Sequence, residues 1–198
     1  MLELDHLIIS TTDLETGANA ISEKLGAPLE EGGKHSSFGT HSRLLSLGPE
    51  NYLEVIAIDP NAKTPRRSRW FDLDRFEGPA RLTNWVVRAK DLSNLMSMGA
   101  AGPGSPVATS REGMRWTMVV PDDGMLPLDG IAPALMEWRG EKHPCQILPD
   151  HGVRLATLQL SHPDVNQSYL PDDDRVQTRK SAYEISATFE TPSGQVTL

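Results

Sequence analysis

Two segments of the sequence open in the same way, and this duplication limits the possible folds more than any other feature. Leu4 begins a run of strand-forming residues that ends in an Asp-Leu pair at Leu14. A similar run begins at Leu82 and ends in an Asp-Leu pair at Leu92. An internal repeat of this length predicts two matched modules that pack side by side.

Each repeat predicts the element order β-α-β-β-β. In the first, a strand at 3–9 precedes a helix from Leu14 to Leu25, with N-cap candidates at 11–13 and Gly26 as its C-terminal residue. Strand-like runs follow at 43–47 and 52–58. The second repeat predicts a strand from Leu82, a short helix at 92–98, and strands at 114–120 and 134–138. We therefore expect an α+β protein.

Breaks in these patterns suggest four regions. Residues 1–58 form the first module, 59–80 a proline-containing connector, and 81–140 the second module. Residues 141–198 form a C-terminal extension whose strands we expect to pack on the second module.

Charge and composition exclude several classes of protein. The net charge of -8 argues against nucleic acid and anionic membranes as partners. The single cysteine, Cys145, rules out an internal disulfide and lacks an activating pattern, so we expect a buried or half-buried thiol. No run of apolar residues is long enough for a membrane span, and no leader pattern is visible, so the expected location is the cytoplasm.

A few polar residues stand inside the apolar strands. His6 and Glu54 lie on the first and last strands of the first repeat, and Asn84 and Glu137 take the matching places in the second. An ionised carboxylate among apolar residues is costly unless it is paired or bound to a metal. The pattern predicts that these four side chains meet in one pocket, with mutual pairing as the alternative to a ligand site.

The order of these segments resembles the vicinal oxygen chelate superfamily, which includes glyoxalase I and extradiol dioxygenases, and in particular its glyoxalase-like domain branch. The resemblance rests on LDHLIISTTDLE, GGKHSSFGTHSRLLSLG, NYLEVIAIDP, LTNWVVRAKDL and APALMEWRG, which together span most of residues 2–140. It implies paired βαβββ modules that form a curved, cupped mixed β-sheet with helices on the outer face.

The resemblance also implies a divalent metal in the cup. By position, His6, Glu54 and Glu137 match the ligand types, whereas Asn84 replaces the usual histidine or glutamine. Zinc, magnesium, manganese, nickel or iron would suit such a site, and a metal-free ligand pocket remains an equal alternative. In an enzyme, Glu54 or Glu137 would move a proton while the metal stabilises an enediolate or a similar anion.

Further candidates come from neighbouring residues. His35 is a candidate general base in a polar loop, and Thr40 lies on the same loop. Tyr52, Asn84 and Trp116 are candidates for substrate binding. Arg43 could pair with a substrate carboxylate or with Glu54, and a structural pair is the favoured alternative. Trp85 and Trp138 each follow a candidate site residue, so alternation along a strand predicts that they face the helices.

The sequence therefore suggests a glyoxalase-like protein that acts on a small oxygenated metabolite. Lyase, isomerase or dioxygenase-type chemistry would each suit an enzyme of this kind. The alternative is a metal-free protein of the same fold that binds or sequesters a small ligand. A small molecule is the expected partner in both cases, and the sequence leaves open whether the chain forms a homodimer.

Overall fold

The computed structural model describes residues 2–99, 102–166 and 170–198. It contains two α-helices, α1 (Leu14–Leu25) and α2 (Leu92–Ser97). Eight strands form the main sheet: β1 (Leu2–Ser10), β2 (Glu30–His35), β3 (Thr40–Ser46), β4 (Tyr52–Ile58), β5 (Arg81–Ala89), β6 (Ser105–Arg111), β7 (Met114–Val120) and β8 (Ala134–Trp138). Four more form a second sheet: β9 (Arg154–Ser161), β10 (Val176–Arg179), β11 (Glu184–Thr191) and β12 (Gly194–Thr197).

The main sheet repeats one arrangement about its centre. Its strand order is β2-β3-β4-β1-β5-β8-β7-β6. In each half the first strand pairs in parallel with the last, and β1 and β5 pair antiparallel where the halves meet. This arrangement confirms the predicted α+β class with paired βαβββ modules and a curved mixed sheet.

Local sequence explains the limits of α1. The Asp13 side chain accepts a hydrogen bond from the backbone N–H of Thr16 at 2.8 Å, as an N-cap does. Gly26 ends the helix in the left-handed conformation with φ of 65°, which glycine adopts without steric cost. The buried side chains of α1 lie on one stripe that packs on the sheet. Both ends of this helix agree with the sequence prediction.

The sheet separates two apolar clusters. The outer cluster joins α1 and α2 to alternate residues of the central strands, including Leu7, Trp85 and Val87. The inner cluster fills the concave side of the sheet and includes Ile8, Val86 and Trp116. The concave side is therefore a packed cup.

The two edge strands close the cup at one rim. Strands β2 and β6 contact each other, and Arg111 at the end of β6 reaches across to Ser42 of β3, with Nη1 3.3 Å from Oγ. Gly33 makes this approach possible, because a Cβ there would lie 2.8 Å from Cδ of Arg111. Its φ of 87° also favours glycine.

The connector between the modules lies over the mouth of the cup. Trp70 stacks on Phe38 with ring centroids 3.9 Å apart, and Phe71 is buried beside it. The backbone N–H of Asp72 donates to the carbonyl of Gly124 at 3.0 Å, which ties the connector to the second module. These contacts place two aromatic rings between the cup and solvent.

The second sheet packs on the outer cluster. Leu158 and Phe189 are fully buried there, and β11 contacts β5. Arg154 also packs against Gly48 of the first module, so the extension touches both modules and not the second alone. Among the described residues, no helix has the length and apolar character needed to cross a membrane.

The sequence prediction misses strands in two segments. The segment from Lys34 to His41 is predicted to be a polar loop, but β2 and β3 form a hairpin there. Strand β6 covers 105–111, for which the sequence predicts neither a helix nor a strand. The prediction is wrong at both because glycine and polar residues hide the alternation by which strands are recognised.

Candidate functional site

A β-bulge in β1 builds the centre of the site. The pairing of β1 with β5 shifts between Leu4 and His6, so Asp5 is an extra residue on β1. Leu4 joins the outer apolar cluster, while Asp5 and His6 both contact residues of the cup. Strict alternation places Leu4 on the same face as His6, and the bulge corrects that prediction.

Asp5 is a fully buried carboxylate with four side-chain neighbours that donate to it. Its Oδ1 lies 2.6 Å from Nδ1 of His6. Its Oδ2 accepts hydrogen bonds from Trp138 Nε1 at 2.9 Å, His143 Nε2 at 3.2 Å and Arg88 Nη1 at 3.4 Å. Burial alone would raise the pKa of Asp5, but hydrogen bonds from His143 and His6 outweigh it and hold that pKa well below its usual range. Asp5 is therefore an ionised anchor.

This anchor orients the His6 ring. Because an ionised carboxylate only accepts hydrogen bonds, Nδ1 of His6 carries the proton that it shares with Asp5. Nε2 then points into the cup, 3.6 Å from Oε2 of Glu54. The ring also stacks on Tyr52 with centroids 4.4 Å apart. Nε2 is thus the nitrogen that His6 presents to the interior of the cup.

His35 approaches the same carboxylate from β2. Its Nδ1 lies 3.1 Å from Thr40 Oγ1, and its Nε2 accepts a hydrogen bond from Arg111 Nη1 at 2.9 Å. Because a guanidinium only donates, Nε2 of His35 is unprotonated. Burial lowers the pKa of His35 to about 4, so this ring is neutral near pH 7. With Nε2 engaged by Arg111, His35 serves less well as a base than His6.

Glu54 lies at the centre of this charged cluster. Its Oε1 is 3.5 Å from Arg111 Nη1 and 3.7 Å from His35 Nε2, and it has no hydrogen-bond partner among the described residues. Desolvation raises the pKa of Glu54, but electrostatic interactions with His35, His6 and Arg111 lower it by more, so the net shift is downward. The cup therefore holds an ionised carboxylate whose Oε1 can accept a hydrogen bond from a ligand or a water molecule.

The space beside this oxygen is small and lined by aromatic rings. Its volume is about 20 Å³, enough for one water molecule. The lining consists of His6, His35, Tyr52, Glu54, Trp70, Phe71, Arg111, Trp116, Met118, Met136 and Trp138. A ligand larger than water must move some of these side chains to enter.

Most of the expected residues meet here, and Arg43 is one that does not. His6, His35, Tyr52, Glu54 and Trp116 line the cavity, and Thr40 supports His35. Arg43 faces the helices, where it forms an ion pair with Glu15 of α1 at 2.8 Å. Arg43 therefore lies outside the cup and forms a structural ion pair, because Leu45 and Leu47, which share its face, lie in the outer cluster.

Glu137 also lies on the outer side of the sheet. Its Oε2 accepts a hydrogen bond from the backbone N–H of Leu92 at 2.9 Å, and its Oε1 pairs with Arg139. Trp138 takes the inward position that the sequence predicts for Glu137. The alignment of the two repeats is one residue out of register on β8, and such a slip exchanges the faces of a strand.

Asn84 lies on the concave face but lines a neighbouring cavity. It pairs across β1–β5 with Ile8, one inward position away from His6. It is buried, with 5% of its surface exposed. Its place beside the charged cluster, not within it, separates it from the predicted ligand set.

The residues of the cup do not fit the implied metal. The expected set of His6, Glu54 and Glu137 is not assembled, because Glu137 faces the other way. The remaining imidazole, His35, has its free nitrogen bonded to Arg111, whose permanent positive charge stands where a cation would have to bind. In the described part of the chain, no three histidine, cysteine or acidic side chains are grouped to hold a metal ion.

Sequence reasoning misses Asp5, Arg111 and His143, and it places Trp138 on the wrong face of β8. Asp5 stands next to His6, but an alternating strand would turn it away. Arg111 lies on the unrecognised strand β6, and His143 follows the second module in a proline-containing segment. Cys145 is near this network, but burial raises the pKa of its thiol to about 12, so it is not a thiolate nucleophile.

Comparison with known proteins agrees with this architecture. The profile of the glyoxalase-like domain family matches residues 4–169. None of the curated proteins matches the chain significantly. A hypothetical protein from Staphylococcus aureus has a similar structure, with 14% identity and a TM-score of 0.62 over 100% of this chain and 84% of that one.

Two methylmalonyl-CoA epimerases show a more distant likeness. The enzyme from Mycobacterium tuberculosis is 18% identical, with a TM-score of 0.46 over 70% of this chain and 88% of that one. A variant of the Streptomyces coelicolor enzyme in complex with 2-nitronate-propionyl-CoA is 12% identical, with a TM-score of 0.48 over 70% and 97%. At 14% identity, the likeness to the Staphylococcus aureus protein bears on the fold alone. The family match over most of the chain, together with the paired modules and the cup, places the protein in the glyoxalase-like domain family of the vicinal oxygen chelate superfamily.

Proposed function

We propose that the cup carries out metal-independent acid–base chemistry on a small, negatively charged, oxygenated metabolite. The observation that carries the proposal is the geometry of His6. Its Nδ1 is held by the buried Asp5 carboxylate at 2.6 Å, and its Nε2 faces the interior beside Glu54. A carboxylate that fixes the tautomer and orientation of an imidazole also stabilises the imidazolium that forms when the ring accepts a proton.

Arg111 supplies the complementary charge. In the substrate complex, an oxygen of the ligand takes the place of Glu54 Oε1 as a partner of the guanidinium. His6 Nε2 removes a proton from the carbon next to a carbonyl group, and the electron pair of that C–H bond moves toward the carbonyl oxygen. Arg111 stabilises the negative charge that develops there. Return of the proton to another position gives an isomerase, and loss of a neighbouring leaving group gives a lyase.

Glu54 is the second proton carrier in this scheme. Its Oε2 lies on the His6 side of the cup, and its Oε1 lies on the Arg111 side. When His6 becomes cationic, the nearby negative charge of Glu54 stabilises it. A carboxylate and an imidazole on the same small cavity can thus exchange a proton on opposite sides of one reacting carbon.

One observation favours the alternative of a non-catalytic ligand-binding protein. The cavity holds only about 20 Å³, and the charges around it already neutralise one another. A protein that only binds a ligand needs the ligand to replace one of these charged groups as the partner of the other, and it needs no proton transfer. The test must therefore measure proton transfer and not binding alone.

Solvent exchange provides this test and does not require the identity of the substrate. A panel of small 2-hydroxy and 2-oxo carboxylates in D₂O, followed by proton NMR, reports deuterium incorporation next to the carbonyl group. We expect incorporation with the wild-type protein for at least one compound, and its loss in His6→Gln and Glu54→Gln. Addition of EDTA should leave the rate unchanged, because the cup does not provide a metal site.

The outcomes separate the two functions. Exchange that persists at the wild-type rate in both variants contradicts the proposed site. Binding of the panel compounds to the wild-type protein without any exchange supports sequestration in place of catalysis.

A further inference from the structure

A second cavity adjoins the charged cluster on the concave side of the sheet. Its volume is about 240 Å³, twelve times that of the first, which suits a small organic molecule. Phe71 lines both cavities, so this one side chain forms the partition between them. The other lining residues are Asp72, Arg75, Phe76, Arg81, Thr83, Asn84, Met125, Leu126, Asp129, Gly130 and Tyr183.

Asn84 provides an unused hydrogen-bonding group in this cavity. The residue is only 5% exposed, and its amide has no side-chain hydrogen bond within the described residues. The backbone of Gly130 comes so close that a Cβ there would lie 2.5 Å from Asn84 Nδ2. Neither amide atom of Asn84 is among the fully buried atoms that lack a partner, so the amide faces the space of the cavity, where a ligand that accepts from Nδ2 and donates to Oδ1 would bind.

Two left-handed turns border the same cavity. Five non-glycine residues in the described part of the chain have a positive φ, and four of them form the pairs Phe71–Asp72 and Leu128–Asp129. Values of 54° to 58° are unfavourable for such side chains, above all for the bulky Phe71 and Leu128. Backbone held in this way concentrates at sites of ligand contact or movement.

Arg81 brings a positive charge to the cavity. Its Nη1 donates to the carbonyls of Glu77 and Pro79, and its guanidinium lies 4.3 Å from the Phe76 ring. Within the described ranges it forms no ion pair, whereas the neighbouring Arg75 is paired with Asp72 at 2.6 Å. A bidentate guanidinium with only neutral acceptors is suited to an incoming carboxylate.

We infer that this cavity holds the distal half of the ligand, and that the ligand is an elongated carboxylate with an amide or hydroxyl group. The carboxylate pairs with Arg81, and the amide or hydroxyl bonds Asn84. The inference rests on the proposed function, because it takes the reacting end of the ligand to lie beside His6 and Glu54. Phe71 must turn aside for one molecule to occupy both cavities.

Succinamate, which carries one carboxylate and one amide, is a suitable probe. In titrations of the 15N-labelled protein we expect chemical-shift changes at Thr83, Asn84 and Gly130. The change Asn84→Leu keeps the size of the side chain and removes both hydrogen bonds, and should weaken binding about three- to tenfold. The change Arg81→Gln should weaken succinamate about tenfold but leave the uncharged succinamide almost unaffected.

Binding of succinamate with equal affinity to wild type and Asn84→Leu would overturn the assignment, as would shifts confined to another surface. Failure of the proposed chemistry has a different signature, since succinamate would still bind at Asn84 while no deuterium exchange occurs. Exchange without succinamate binding at Asn84 overturns this inference alone.

Substitution of Phe71 tests the partition. Glycine suits the backbone at φ of 58°, so Phe71→Gly should fold and connect the cavities. In this variant succinamate should also shift the ring signals of His6 and Trp116, which it leaves unchanged in the wild type. The matched control Phe76→Gly removes a ring that lines only the larger cavity and should not produce these shifts. Unchanged signals in Phe71→Gly would show that Phe71 is not the barrier.

Discussion

At the scale of single residues, one inserted position makes the site. The bulge at Asp5 allows two consecutive side chains to serve the same cup, and each has a different task. Asp5 fixes the ring of His6, and His6 presents its nitrogen to the interior. The unusual histidine is visible in the sequence because of its apolar neighbours. Its anchor is not, because a bulge depends on the pairing with β5.

The buried imidazole of His35 should make stability depend on pH. Its pKa is about 4 in the folded protein and 6.5 when exposed, so between these values the unfolded chain takes up a proton that the folded chain does not. The contribution of neutral His35 to the free energy of unfolding is complete above pH 6.5, and it is lost as the pH falls toward 4. Urea unfolding should show a decrease of at most about 1.4 kcal/mol per pH unit from this group.

The variant His35→Gln isolates this contribution. Glutamine does not titrate, but it can still donate to Thr40 and accept from Arg111. The difference in unfolding free energy between wild type and variant should therefore change between pH 6.5 and 4. A difference that is constant over this range would contradict the assignment of a neutral, buried His35.

At the scale of elements, the sequence predicts those helices and strands whose own residues carry a clear pattern, and it misses strands that depend on their neighbours. Strands β1, β4, β5 and β8 are rich in apolar residues, and helix α1 carries its own start and stop signals, so the sequence predicts all of these. Strands β2 and β6 form because they pair by hydrogen bonds with β3 and β7, although their own residues are largely polar or small. Of the residues on those two strands, His35 is therefore predicted on a loop and Arg111 is missed.

The register of β8 leads to a prediction about two glutamates. Glu137 is expected in the cup but bonds the first residue of α2 on the outer side. In Glu137→Gln an amide oxygen can keep that hydrogen bond, and its partner Arg139 is half exposed, so the loss should be below about 1 kcal/mol. Glu54→Gln removes the counter-charge of the buried Arg111 and should cost about 3 kcal/mol.

Chemical denaturation of both variants tests this difference, and Glu137→Gln also serves as the matched control for the exchange assay. It should keep the wild-type rate of deuterium incorporation. Equal destabilisation by the two changes, or loss of exchange in Glu137→Gln, would place the second glutamate back in the reaction.

At the scale of the whole molecule, the two modules contribute unequally to one interior. The first supplies Asp5, His6, His35 and Glu54, while the second supplies Arg111 and the rings of Trp116 and Trp138. The duplication predicts the shared cup, but it also suggests a symmetric set of ligands. Symmetry of the backbone does not extend to the side chains, and the acidic and basic groups of the cup lie mostly on one side.

The long antiparallel pairing of β1 with β5 has a consequence for the covalent chain. Because hydrogen bonds and a common apolar interior already join the halves, we expect folding not to require the peptide link through 63–66. Two polypeptides, 1–62 and 67–198, should complement each other when they are produced together and should co-purify as a one-to-one assembly. If each remains separate and aggregates through its open strand edge, the linkage itself is required for folding.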